Sequence, residues 1–341
     1  VFSLPAGGLV DRVGVGWALV VCHTVMLLGA VLFSQAENFS MALAALAAMG
    51  AGYSISNPAT ARGVLEWFPA KRRATAMGIK QVGVPLGGIL GAGNGALVTL
   101  VAWGDIMLGV AGLIAINGVL CLRLTRLAKH AVDQDKQHPL ANIREVMRDG
   151  NINRFVLLNG LYNFGQTNFF SFLTLFMREA ALASQETASV VLGVAQAASA
   201  FGRIGWGYIA DTMFQGRRKT LSLLICTSGA IFLALMALVG PSWGVVIGMA
   251  LAIGLGMTIA SYASVLQTVA VESVPRAQAG SAVGGLMIGL SLGAMAGPPL
   301  FGAVIDFTGQ FADGWLTTAA IVAFGLFILK FKYKEGAEQT H

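Results

Sequence analysis

The sequence predicts an all-α membrane protein built from two related helical bundles. Of its 341 residues, 56% are hydrophobic and only 11% are charged, whereas a soluble domain carries about 25% charged residues. The hydrophobic residues fall in runs of about 20, the length that a helix needs to cross a bilayer. Motifs of the first half recur in the second half, which indicates that the two halves share one architecture.

Glycine is abundant, with 44 residues that follow no strict short period. This distribution excludes a collagen-like chain. Helices that pack closely in lipid need small residues at their contacts, and membrane bundles use glycine for this purpose. The composition therefore favours several tightly packed spanning helices.

Ten complete spans and the end of an eleventh are predicted. Residues 1–10 resemble the end of a spanning helix, and the chain does not begin with Met, so we expect helices that precede it. A polar linker at 125–152 separates an incomplete N-terminal bundle (1–124) from a C-terminal six-helix bundle (153–341). Within the linker, 139–149 has the spacing of a surface-lying amphipathic helix or of a plain exposed one. The predicted spans are about 16–34, 39–64, 74–100, 104–124, 154–178, 186–210, 220–240, 242–269, 278–304 and 314–332.

The basic residues lie almost entirely in alternate loops. If the turn at Asp11 faces the cytoplasm, 20 of the 22 Lys and Arg residues lie on that side, with Arg178 outside and Lys80 within a span. This bias is the one that the positive-inside rule describes. It predicts a multi-pass protein of the bacterial cytoplasmic (inner) membrane with a cytoplasmic C-terminus. It also accounts for the net charge of +6 without a nucleic-acid partner.

An internal repeat connects the two halves. The acidic turn Gly7–Gly14 is followed about 200 residues later by a second acidic turn at Gly207–Asp211. Glu66-x-x-Pro69 recurs as Glu272-x-x-Pro275, an offset of 206 residues. At the same offset, a stripe of glycines at four-residue spacing recurs, in which Gly83, Gly87 and Gly91 match Gly289, Gly293 and Gly297.

These turns carry a family resemblance. Gly7-x-Leu9-x-Asp11-Arg12-x-Gly14 is similar to the signature loop of the major facilitator superfamily (MFS), and Gly202-Arg203 to Asp211 resembles its second copy. The resemblance covers the whole chain. It implies a fold of twelve helices in two bundles, with helix 1 and most of helix 2 absent here. It also implies secondary transport by alternating access, in which the bundles move about a site near the bilayer midplane.

The sequence departs from the family pattern in three places, and one of them is the second copy of the signature, where Thr212 replaces the first Arg and the turn is longer. Val15 and Gly16 stand where the signature loop has two basic residues, and Gly91 to Asn94 stand where antiporters carry a Gly-Pro signature. The antiporter signature therefore gives no support for choosing an exchanger over a symporter.

A cytoplasmic gate is predicted from the acidic turns. The resemblance implies that Asp11 lies near the start of the span at 278 and Asp211 near the start of the span at 74. A helix N-terminus or a basic partner would stabilise each carboxylate there. Such contacts would favour the outward-open state, whereas the alternative is that the charges only fix the topology. The predicted gate residues are Asp11, Arg12, Glu66, Arg203, Asp211, Arg217 and Glu272, with Arg62 as an alternative partner of Glu66.

Polar side chains near mid-span are the candidates for substrate binding. Lys80 would either attract an anionic substrate or extend to the inner membrane surface. Asn159, Asn163 and Gln166 form one stripe, and such amides either line a cavity or join helices, since an unpaired amide in hydrocarbon costs several kcal/mol. The predicted substrate-binding residues are Tyr53, Asn57, Lys80, Asn159, Tyr162, Asn163, Gln166 and Tyr262.

Enzyme, metal and cofactor sites are not predicted. The sequence has no HExxH motif, no P-loop and no pair of carboxylates at mid-span, and Cys22, Cys121 and Cys226 are isolated in hydrophobic runs. Buried thiols are the expected state of these cysteines.

The predicted function is secondary active transport of a small polar solute, with an organic anion favoured by Lys80. The partners would be the lipid bilayer, the solute and a coupling ion, for a monomeric symporter or exchanger. One alternative is efflux of lipophilic compounds, which the aromatic residues at 162–172 would suit. A second alternative is a non-transporting sensor on the same fold.

Overall fold

The computed structural model describes residues 3–97, 101–127, 148–214, 217–240, 244–275 and 278–331. Within these ranges the regular elements are helices. The first six are α1 (Ser3–Val13), α2 (Val15–Ser34), α3 (Phe39–Trp67), α4 (Arg73–Gln81), α5 (Gly83–Leu97) and α6 (Trp103–Leu127), with a short 3₁₀ turn at Ala70–Arg72. The others are α7 (Gly150–Glu179), α8 (Gln185–Thr212), α9 (Arg218–Met236), α10 (Gly244–Met257), α11 (Ala263–Glu272), α12 (Ala279–Thr308) and α13 (Phe311–Phe331).

Seven of the described helices are long and apolar enough to cross a membrane: α2, α3, α6, α8, α9, α12 and α13. The protein is therefore an all-helical, multi-pass membrane protein. The count of ten complete spans stays a prediction. The predicted surface helix at 139–149 lies almost wholly outside the described residues.

Two predicted spans are each divided into two helices. The span at 74–100 consists of α4 and α5, which meet at Val82. Pro85 has no N–H to donate to the carbonyl of Gln81, so the helical ladder is interrupted at that junction. The span at 242–269 consists of α10 and α11, separated by a non-helical segment at 258–262. There the hydroxyls of Thr258 and Ser261 donate hydrogen bonds to the carbonyls of Gly254 and Gly256, respectively. Such bonds compete with the backbone hydrogen bonds of a helix.

The chain forms two compact units, and each unit draws on both halves of the sequence. The first contains Val1–Trp67, Leu90–Asp149 and Ala270–Gly285. The second contains Phe68–Ile89, Gly150–Val269 and Leu286–His341. The exchanged segments are the start of α12, which belongs to the first unit, and α4, which belongs to the second.

In the first unit, α2 packs along both α3 and α6. The turn from α1 into α2 passes through Gly14, whose φ of 81° favours glycine. Side chains from α1, α2, α3 and α6 form the core, and most are small, so the helices approach closely. The buried members include Ala6, Val10, Ala18, Leu19, Ile55, Ala59 and Cys121.

In the second unit, α8 packs against α4 and α10, and α13 packs against α7 and α9. An aromatic cluster joins α7, α12 and α13. Its Trp315 ring is buried and lies 5.4 Å from Phe176 and 4.7 Å from Phe301, edge to face in both pairs. This edge-to-face geometry is the one that aromatic pairs prefer.

Candidate functional site

Asp11 caps the N-terminus of α12 within the first unit. Its Oδ1 accepts a hydrogen bond from the Gly280 N–H at 2.9 Å, and its Oδ2 accepts from the Ser281 N–H at 2.8 Å and the Ser281 hydroxyl at 2.5 Å. The N–H groups of the first helical turn have no partner within their own helix, and the helix dipole favours an anion there. The carboxylate therefore joins α1 to α12.

Arg62 of α3 is the cationic partner of this carboxylate. Its Nη1 lies 3.1 Å from Asp11 Oδ1, and its Nε lies 2.6 Å from Glu66 Oε1. Burial raises the pKa of Asp11 above its ordinary value, although the Ser281 hydroxyl and the Arg62 guanidinium both lower it. Arg12, which the sequence offered as an alternative partner of Glu66, is exposed.

Asp211 caps the N-terminus of α4 within the second unit. Its two oxygens accept hydrogen bonds from the N–H groups of Ala74 at 3.1 Å and Thr75 at 2.7 Å. The neighbouring cation is Arg218, 3.5 Å away. Arg217, the predicted gate residue, is exposed. The basic run itself was visible in the sequence, but which of its members turns toward Asp211 depends on how α9 begins.

A glycine four residues before each aspartate allows this close approach. A Cβ at Gly7 would collide with the backbone at Gly280, and a Cβ at Gly207 would collide with the backbone at Ala74. The two capping contacts therefore have the same geometry in the two units. Together with the repeat, this makes the Gly-x-x-x-Asp turns a shared structural device.

Lys80 lies in a buried polar cluster of the second unit. Its ammonium donates to Gln267 Oε1 of α11 at 3.1 Å and lies 3.8 Å from the sulfur of Met77. We call Lys80, Gln81, Arg203 and Gln267 the cationic cluster. Lys80 is only partly exposed, and its contact with α11 places the ammonium within the protein.

Arg203 completes the cationic cluster. Its guanidinium donates to Gln81 Oε1 at 3.3 Å and to the Ser199 hydroxyl at 3.3 Å. Arg203 is 2% exposed, and Gln267 is also 2% exposed. The sequence predicted Arg203 as a gate residue, and the structure places it beside the predicted substrate residue Lys80.

Gln267 was missed by the sequence reasoning. Its only sequence signal is a single amide within a hydrophobic run, which does not distinguish it from an amide that joins two helices. Its position opposite Lys80 depends on how α4 and α11 pack.

The predicted polar stripe on α7 joins α7 to α12. Asn159 Nδ2 donates to the Leu286 carbonyl at 2.6 Å, and Asn163 Nδ2 donates to the Leu290 carbonyl at 2.8 Å. Tyr262 donates its hydroxyl to Asn159 Oδ1 at 3.0 Å. These three side chains therefore have the helix-joining geometry that the sequence left open as an alternative.

The other predicted substrate residues have separate surroundings. Tyr162 is buried, with its ring 5.4 Å from that of Tyr262. Gln166 is half-buried. Tyr53 and Asn57 lie on α3 in the first unit, where Tyr53 is 50% exposed and Asn57 is half-buried. Glu272 is exposed at the end of α11.

The three cysteines are buried, as expected. Among the residues that the structure describes, no group of three or more His, Cys, Asp or Glu side chains is arranged to hold a metal ion.

Comparison with known proteins identifies the family to which this chain is similar. The family model described as "Major Facilitator Superfamily" matches residues 1–269 and 155–340. Monocarboxylate transporter 13 of Bos taurus is 27% identical over 331 residues, which are 96% of this chain and 75% of that protein. The hexuronate transporter of Bacillus subtilis (strain 168) is 26% identical over 356 residues, 97% of this chain and 82% of that protein.

A solved structure has the same fold. The E. coli fucose:proton symporter FucP aligns with a TM-score of 0.78 at 17% identity, and the alignment covers 98% of this chain and 88% of the symporter. At this identity the match establishes the fold alone.

Proposed function

The chain belongs to the Major Facilitator Superfamily of secondary transporters, which are not enzymes, and from this premise we propose that it carries a small organic anion by alternating access. The single observation that carries the proposal is the position of the Lys80 ammonium in the cationic cluster, where it donates to the buried Gln267. A charged side chain at the centre of a spanning helix costs about 2.5–3.5 kcal/mol on insertion scales. Lys80 lies nearer the start of its predicted span, and its contact with Gln267 inside the protein, rather than with the membrane surface, favours a functional role.

The internal repeat supports a functional role for Lys80. At the offset of 206 residues the counterpart of Lys80 is Leu286, and the counterpart of Gln81 is Met287. Both counterparts are buried and apolar. The repeated architecture therefore does not need a charge at this position, which favours a role in substrate chemistry over a role in packing.

The relatives support the same class of substrate. The names of the two relatives describe transporters of monocarboxylates and of hexuronates, and both kinds of compound carry a carboxylate. A carboxylate is the natural partner of an ammonium or a guanidinium. We infer that Lys80 and Arg203 attract the anionic group, with Tyr53, Asn57 and Gln166 as candidates for contacts with the rest of the solute.

We propose further that the two aspartate caps form the cytoplasmic gate. Asp11 with Arg62 and Glu66, and Asp211 with Arg218, stabilise helix N-termini that would have to separate from α1 and α8 when the cytoplasmic side opens. The basic residues of the alternate loops support an orientation with the C-terminus in the cytoplasm, and we propose a bacterial cytoplasmic membrane as the location. We propose a monomer that couples the anion to an ion or a second solute.

The test is uptake into proteoliposomes of a panel of monocarboxylates, dicarboxylates and uronates, with a lipophilic dye as the competing substrate class. We expect saturable uptake of at least one anion, reduced at least 10-fold in Lys80→Gln and partly retained in Lys80→Arg. Lys71→Gln, which alters an exposed residue before α4, is the matched control and should leave uptake unchanged.

Three results would overturn the proposal. If Lys80→Gln takes up every anion as fast as the unaltered protein does, Lys80 has no role in anion transport. Transport of the dye alone would favour lipophilic efflux. Absence of any flux would favour the sensor alternative.

A further inference from the structure

The segment at 258–262 interrupts the span formed by α10 and α11. The Trp206 indole N–H donates to the Met257 carbonyl at 2.5 Å, and the Ser199 hydroxyl donates to the Ala260 carbonyl at 3.0 Å. On the other side, the Tyr262 hydroxyl binds Asn159 of α7. Irregular backbone at membrane depth is tolerated only where protein or water satisfies its polar groups. The interruption is therefore a defined joint, fixed by α7 and α8.

Beyond this joint, a charge-assisted hydrogen bond connects α11 to α4. Gln267 lies one helical turn past the start of α11, and its Oε1 accepts from the Lys80 ammonium at 3.1 Å. Thr268 and Ser264, its neighbours on α11, make their hydrogen bonds within that region of the chain. The contact between Gln267 and Lys80 therefore connects the predicted anion site directly to α11, on the far side of the joint.

We propose that Gln267 holds the Lys80 ammonium in the empty transporter and that the anionic group of the substrate displaces it, which frees α11 to turn at the 258–262 joint. This inference rests on the proposed function of Lys80. In this proposal Lys80 contacts the substrate. Gln267 is a positioning residue that couples occupancy of the anion site to the conformation of α11. A ligand moves an equilibrium only by a difference in its contacts between two states, and the exchange of partners at Lys80 supplies that difference.

The chemistry of glutamine suits a contact that is meant to be exchanged. Its amide oxygen is a neutral acceptor, whereas a carboxylate adds the attraction of a full negative charge to the hydrogen bond from the ammonium. An anionic substrate would therefore outcompete Gln267 for the ammonium. A glutamate at this position would form an ion pair with Lys80 that the substrate would not easily displace.

The repeat supports this assignment, because the contact exists in only one copy. At the offset of 206 residues, Gln267 corresponds to Ala61, just as Lys80 corresponds to Leu286. Both counterparts lack a hydrogen-bonding side chain. The aspartate caps occur in both copies and belong to the shared architecture, whereas the Lys80–Gln267 contact occurs in one of them.

The first measurement is the anion dependence of initial uptake in proteoliposomes. Gln267→Leu should lower the apparent KM about 3- to 10-fold, because the anion no longer displaces an amide. Gln267→Glu should raise it at least 10-fold. Thr268→Val alters a buried residue on the same helix whose hydroxyl donates to the Ser264 carbonyl. It should keep the KM within about twofold and controls for nonspecific effects on α11.

The second measurement is amide hydrogen exchange of α11, which does not depend on transport. Without anion, exchange at 263–272 should be faster in Gln267→Leu and slower in Gln267→Glu than in the unaltered protein. Addition of a transported anion should raise exchange in the unaltered protein and have little effect in Gln267→Leu.

These outcomes separate the two proposals. If Lys80→Gln abolishes saturable anion uptake but Gln267→Leu matches the unaltered protein in KM and in exchange, the anion site stands and the displacement of Gln267 is wrong. If Lys80→Gln leaves uptake of all anions unchanged, both proposals fall. Equal KM changes in Thr268→Val and Gln267→Leu would also overturn the inference, since they would show a general disturbance of α11.

Discussion

Asp11, Arg62 and Glu66 form a triad at the first aspartate cap in which one guanidinium serves two carboxylates. The side chains of Asp11 and Arg62 are 1% and 8% exposed, so water contributes little to their solvation. Removing one partner of a buried ion pair leaves an uncompensated charge, which costs about 3–5 kcal/mol. The arginine is therefore expected to matter more than its exposed neighbour in the turn.

We predict that Arg62→Gln lowers the stability of the protein strongly, whereas Arg12→Gln changes it by less than about 0.5 kcal/mol. The unfolding midpoint of each variant in detergent, monitored by size-exclusion chromatography after heating, is compared with that of the unaltered protein. Equal unfolding midpoints for the two variants would contradict the triad. A larger loss of stability in Arg12→Gln would favour Arg12 as the partner of Glu66.

The residue-level chemistry was only partly predictable from the sequence. The spacing of Arg62 and Glu66 places them on one helical face, and the acidic turns marked Asp11 and Asp211. The stripe of Asn159 and Asn163 was also visible, but periodicity shows only that two side chains share a face. That their amides donate to carbonyls of α12 is a consequence of packing, which no local pattern records.

Glycines determine how closely α7 and α12 pack. A Cβ at Gly289 or Gly293 would run into the backbone of α7, at Val156 and Gly160 respectively. On the same helix, a Cβ at Gly302 would meet only Phe172 Cζ, at 3.9 Å. One helix thus contains glycines that are required for contact and a glycine that is not.

We predict that Gly293→Ala destabilises the protein by about 1–3 kcal/mol, the range for overpacked sites. Gly302→Ala is the matched control and should be neutral or slightly stabilising, since alanine is the better helix former by about 1 kcal/mol. The unfolding midpoints of the two variants, each compared with that of the unaltered protein, measure these effects. A neutral Gly293→Ala would show that α7 and α12 separate at this point.

The two glycine stripes illustrate what a sequence pattern leaves undetermined. Gly83 and Gly87 match Gly289 and Gly293 in sequence, yet a Cβ at either would meet nothing within 4 Å among the described residues. The spans were likewise predictable from hydrophobic length, whereas their interruptions were not. Pro85 offered a local signal for the first interruption, but the joint at 258–262 depends on Trp206 and Ser199 of another helix.

The whole molecule is built from two units that exchange short segments between the sequence halves. Asp11 of the first half binds the start of α12, and Asp211 of the second half binds the start of α4. Neither half of the sequence can complete its unit without a segment of the other. The covalent linker at 125–152 contributes nothing to these hydrogen bonds, so continuity of the chain there should not be essential.

We therefore predict that the chain, divided between residues 136 and 137 and expressed as two fragments, regains stability and uptake only when both are present. Each fragment alone should accumulate poorly, because its exposed helix faces and orphan N–H groups lack partners. Co-purification on a tag carried by one fragment measures the association, and proteoliposome uptake measures the recovered function. Asp11→Asn and Asp211→Asn together should reduce co-purification, because each substitution weakens one capping contact. Stable, monodisperse fragments that do not associate would show that the exchanged segments are dispensable and that each sequence half folds independently.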